Sequence, residues 1–91
     1  MDIAGINFTV KEIEKPDWIE GRFMGMMNFE EKGIYINKDM CEEQKESTKI
    51  HEYIHAVLDS YGFPDESENE ALVSMLQNEL YRAGFRIPYT E

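Results

Sequence analysis

His51 and His55 are the only histidines in the chain, and they stand four positions apart in the run His51-Glu52-Tyr53-Ile54-His55. On a helix, residues four apart lie on one face, one turn above the other. Two imidazoles so placed can reach the same tetrahedral zinc ion. Glu52 follows the first histidine, where a carboxylate can take a proton from a water that the ion activates. The spacing therefore points to zinc as cofactor, with His51 and His55 as metal ligands and Glu52 as catalytic base. The plainer alternative is two polar residues sharing a helix rim, with Glu52 in water.

A zinc hydrolase needs a third protein ligand and an open coordination position. No third histidine exists, and Cys41 lies about three turns upstream on the same helix, so a carboxylate is expected. Glu66, Glu68, Glu70 and Glu79 are the candidates, and Glu70 is favoured because it leads into the apolar segment Ala71-Leu72-Val73. Two alternatives stay open. Ser67-Glu68-Asn69-Glu70 also reads as a capping box, in which Glu70 would only satisfy an amide. In a simple helical hairpin hinged near residue 64, Glu70 would lie opposite residue 59, and Ser74 and Asn78 would be nearer the level of the histidines.

The surrounding elements must position these groups. Ile6, Phe8 and Val10 alternate, which predicts a strand over residues 6–13. Pro16, Asp17 and Gly21 break it, and Trp18 and Ile19 are expected to fold back on the core. A second strand is predicted over 22–29, with Gly25 as a bulge. Glu30-Glu31-Lys32-Gly33 forms a turn, with Gly33 at positive φ, and Ile34-Tyr35-Ile36-Asn37 forms a third strand. Ile50, Ile54, Val57, Leu58 and Tyr61 form an apolar stripe at helical spacing, so a helix is predicted over about residues 40–61. Asn37 or Asp39 would cap its start and Gly62 would end it. A second helix is predicted from Asp65–Ser67 to about Arg82, burying Ala71, Leu72, Met75, Leu76, Leu80 and Ala83. The fold class is α+β: a small antiparallel three-stranded sheet followed by two helices.

Composition narrows the function classes. Ninety-one residues suit one domain with a modest core. A formal net charge of −10 would repel nucleic-acid phosphates, so direct nucleic-acid binding is not expected. No run approaches the roughly 20 apolar residues of a membrane span. The single cysteine, Cys41, excludes an internal disulfide and suits a reducing cytoplasm.

Gly25 through Asp39, followed by Lys49-Ile50-His51-Glu52-Tyr53-Ile54-His55-Ala56, resembles small phage and prophage proteins of the ImmA/IrrE-like metallopeptidase group, and Leu80-Tyr81 resembles the second helix of its short members. The resemblance spans roughly residues 22–83. It implies a minimal zincin fold over residues 1–91, with His51 and His55 as zinc ligands and Glu52 as general base. It also implies a protein or peptide substrate and a bacterial host cytoplasm. The group's Glu-Ala-Asn-x-Phe-Ala pattern is matched at Glu70-Ala71 alone. If Leu80-Tyr81 sets the register instead, the third-ligand position falls near Leu72 or Ser74. The competing expectation is a non-catalytic zincin scaffold whose acidic surface binds and inhibits a host protein.

Overall fold

The chain runs through β1 (Asp2–Ile3), β2 (Ile6–Asn7), β3 (Thr9–Ile13), β4 (Gly25–Asn28), β5 (Gly33–Asn37), α1 (Glu42–Ser60), α2 (Pro64–Glu68) and α3 (Glu70–Arg82). These elements come from a computed structural model that describes residues 1–90. The α+β class and the three-stranded sheet agree with the sequence pattern, but the strand order differs from a simple meander. β5 is central, with β3 on one side and β4 on the other. β4 pairs with it antiparallel, Gly25 opposite Ile36, whereas β3 pairs parallel, Val10 beside Ile34. The sheet is therefore mixed. The link over residues 14–24 carries the chain past β5 before β4 begins, so β3 and β4 run in opposite directions with β5 between them. A strand flanked on both edges reads as a continuous apolar run, and Gly33 through Ile36 are all buried.

The predicted first strand is interrupted at Phe8, whose side chain is fully buried with that of Val10. Before it, β1 and β2 pair as a small hairpin through Ala4 and Gly5, both at positive φ as a tight primed turn requires. Gly25 is not a bulge. A Cβ there would lie 2.7 Å from Thr48 Cγ2 and 3.0 Å from the Tyr35 carbonyl oxygen, so its lack of a side chain lets β4 lie against α1. In the next turn the positive φ falls on Lys32, not Gly33, and Gly33 is instead covered by the Tyr35 ring. Trp18 does not fold back on the core; it is exposed.

α1 begins after Cys41, and neither Asn37 nor Asp39 caps it. The Asn37 side chain is committed elsewhere: its amide donates to the Phe23 carbonyl and its oxygen accepts from the Asp39 N–H. Glu42 and Glu43 fill the first turn, where the helix dipole favours acids. Ile50, Ile54 and Ala56 join Phe8, Val10, Ile34, Ile36, Val73 and Ile87 in one core. Gly62 ends the helix at positive φ, with Phe63 N–H donating to Leu58 O and Gly62 N–H to Asp59 O. That pair of bonds is a Schellman closure, and Gly84 repeats it after α3.

The predicted second helix is two helices. The chain breaks at Asn69, whose side chain accepts from Leu72 N–H and caps α3. The Ser67–Glu70 capping box does not form. Val73 is the buried residue of α3, with Leu72, Leu76 and Leu80 half-buried, while Ala71, Met75 and Ala83 are exposed. The tail then packs back. Ile87 enters the core, Phe85 lies against Tyr53, and Thr90 exchanges hydrogen bonds with Val10 on the outer edge of β3. No helix among the described residues is long and apolar enough to cross a membrane.

Candidate metal centre

α1 presents His51 and His55 on one face, and their Nε2 atoms lie 3.3 Å apart. The rings meet edge to face, with 65° between their planes. Glu70, the first residue of α3, reaches across to both. Its Oε2 lies 3.2 Å from His51 Nε2 and its Oε1 3.2 Å from His55 Nε2. α2 makes this possible. It takes up residues 64–68 as a separate element, so α3 restarts with its first residue at the level of the histidines. A continuous helix from residue 65 would have placed Glu70 a turn too far along α1.

The far side of each imidazole is also engaged. His51 Nδ1 lies 2.7 Å from Gln77 Oε1, and His55 Nδ1 lies 3.1 Å from the Ser67 hydroxyl. Gln77 comes from the second turn of α3 beyond Glu70, and Ser67 is buried at the end of α2.

Glu52 is buried beside this cluster. Removal from water pushes its carboxyl up to about 7, opposed by the positive charge available at His51 and reinforced by the negative charge of Glu70. It lines a cavity of about 300 Å³ with His51, Thr48, Met24, Gly25, Ser74 and Gln77. α1 forms the floor of that cavity, and β4 and α3 form its walls.

The donor set fits a small divalent ion. In a tetrahedron with ligand bonds of about 2.0–2.1 Å, the ligand atoms stand about 3.3–3.4 Å apart. The two nitrogens here are 3.3 Å apart, and each carboxylate oxygen is 3.2 Å from one of them. Three electron-rich groups at these separations repel one another unless a proton or a cation lies among them. Among the described residues, His51, His55 and Glu70 are the one group of three or more His, Cys, Asp or Glu side chains that could hold a metal.

The other candidates fall elsewhere. Glu66, Glu68 and Glu79 are exposed and outside the cluster, and Cys41 is exposed at the start of α1. Of the tyrosines, which could serve as an additional catalytic group, Tyr35 donates its hydroxyl proton to Glu31, and Tyr81 carries the Arg86 guanidinium on its ring. Sequence reasoning missed Ser67, Gln77 and Thr48. A signal for one of them was present: Glu70, Ser74 and Gln77 recur at i, i+4 and i+7, a polar stripe beside the apolar positions of α3. No protein-family model, curated protein or solved structure matches the chain.

Proposed function

We propose that the chain is a small metal-dependent peptidase of the zincin kind, working in a bacterial cytoplasm and related to the phage-borne ImmA/IrrE-like group. The observation that carries this reading is the convergence of His51 Nε2, His55 Nε2 and the Glu70 carboxylate at 3.2–3.3 Å, with a buried carboxylate alongside. Zinc suits two imidazoles and one carboxylate. When bound, it would supply a Lewis acid that polarises the scissile carbonyl and the attacking water. Glu52 accepts the proton from that water and returns it to the leaving amine. Burial raises the Glu52 pKa to about 7, which suits a group that takes up and gives back a proton near neutral pH.

The substrate is an extended protein segment laid along β4. The Met24 carbonyl accepts from Asn37 N–H, and Gly25 pairs with Ile36. By antiparallel alternation, Met26 and Asn28 bond inward, while Gly25 and Met27 turn their N–H and C=O groups to the free edge. Gly25 also lines the cavity that holds Glu52, so a strand added there runs past the base. The net charge of −10 favours a second reading, an acidic scaffold that binds a basic host protein without cutting it.

Two measurements separate these readings. The purified protein should hold stoichiometric zinc, and His51→Ala should lose it; a wild-type protein that takes up no zinc would sink the metal centre. Glu52→Gln should keep zinc and lose cleavage by at least about a hundredfold. Full biological activity in Glu52→Gln would favour the binding scaffold.

A further inference from the structure

We infer that Gln77 is a positioning residue that fixes which nitrogen His51 offers to the metal, with Ser67 doing the same more weakly for His55. This rests on the metal-centre reading above and extends it to residues that carry no ligand atom. The argument begins with the imidazole. A neutral histidine carries its proton on one ring nitrogen and a lone pair on the other. In water the proton prefers Nε2, which would leave Nδ1 as the donor atom and turn the lone pair away from Glu70.

The site reverses that preference. The Gln77 side-chain oxygen is an acceptor only, and at 2.7 Å from His51 Nδ1 it requires a proton there. The Nε2 lone pair is then free, and it is Nε2 that faces His55 Nε2 and the Glu70 carboxylate. The Ser67 hydroxyl at 3.1 Å plays the same part for His55 Nδ1. A hydroxyl can also donate, so it selects the tautomer less strongly. Gln77 lies seven residues after Glu70, two turns along one face of α3, so a single helix supplies both a ligand and the group that orients its neighbour. Outer partners of this kind hold ring orientation and tune affinity at metal sites.

The test uses the full chain and Zn²⁺ as the probe. Gln77→Met keeps the length of the side chain and removes the acceptor, and Gln77→Glu keeps an acceptor. Competition with a chromophoric chelator should show zinc binding about 10- to 100-fold weaker in Gln77→Met. Binding in Gln77→Glu should stay within a few-fold of wild type, and the loss in Ser67→Ala should be smaller than in Gln77→Met. Long-range ¹H–¹⁵N spectra of the chelator-treated proteins give a readout that needs no metal. His51 should be protonated at Nδ1 in the wild type and should shift toward Nε2 in Gln77→Met. The inference is overturned if His51 of the wild type is protonated at Nε2, or if the wild type binds zinc and Gln77→Met binds it equally tightly. A wild type that binds no zinc but shows an Nδ1 proton that shifts in Gln77→Met would remove the metal reading and keep Gln77 only as the group that sets the His51 tautomer.

Discussion

Two clusters of buried charge sit on the same helix, and they are built in opposite ways. Lys45 and Glu52 are equally hidden, at 8% exposure each. Lys45 bonds to Glu12 at 2.5 Å with Glu42 nearby, and Lys49 bonds to Glu46 at 2.9 Å with its ammonium 3.9 Å from the centre of the Tyr89 ring. The bond to Glu12 raises the Lys45 pKa, which keeps it charged. Burial raises the Glu52 pKa, which favours its neutral form. The same direction of shift therefore marks a satisfied ion in one place and an unsatisfied one in the other. Satisfied pairs join β3, α1 and the tail. The unsatisfied carboxylate stands where two imidazoles and Glu70 gather, and that is the place suited to chemistry.

The contrast can be broken from either side. The largest effect is expected at Lys49. Lys49→Ala empties the buried space beneath Tyr89 and takes the partner from the half-exposed Glu46, and should cost about 2–5 kcal/mol in urea unfolding. Lys49→Met fills the same volume without a charge and should recover most of that loss, with zinc binding unchanged in both variants. The next effect is a pH dependence at Glu52. In the chelator-treated protein its folded pKa is about 7 against the ordinary 4.5, so the folded state binds the extra proton between those values. The contribution to stability is fully present below about pH 4.5 and is lost as pH rises through 7. The loss should reach roughly 3 kcal/mol by pH 8, measured as the difference between wild type and Glu52→Gln across the range. A wild-type curve parallel to that of Glu52→Gln would show that Glu52 is not held out of water. The smallest effect belongs to Gly25. Gly25→Ala pushes a methyl against Thr48 and should cost about 1–3 kcal/mol, partly relieved by Thr48→Ser, because it pries β4 away from the base side of α1.

Much of this arrangement is legible in the sequence. The histidine spacing places both rings on one face whatever surrounds the helix, and Gly62 and Gly84 mark helix ends by a local backbone requirement. Glu70 could be favoured among four glutamates, but its reach to the histidines could not be fixed, because its approach depends on the break at Asn69. Asn69 is also a capping residue, and a cap one residue before Glu70 competes on equal terms with Ser67 in the sequence. The parallel pairing of β3 with β5 was not legible, since alternation reports which face is buried and not which neighbour lies alongside. The burial of Lys45 and Lys49 is not legible in the sequence, because lysine is almost never buried without a partner, and Glu12 and Tyr89, which meet them, are remote in sequence.

The clasp between Thr90 and Val10 has a consequence for synthesis. The two residues are 80 positions apart, so the outer edge of β3 stays open until residue 90 has left the ribosome. During that interval, the helices and the three-stranded sheet can already assemble while the outer edge of β3 remains unpaired. Such an edge invites pairing with other nascent chains. The segment that ends in Thr90 thus closes a window of vulnerability during translation, apart from anything it adds to the folded structure.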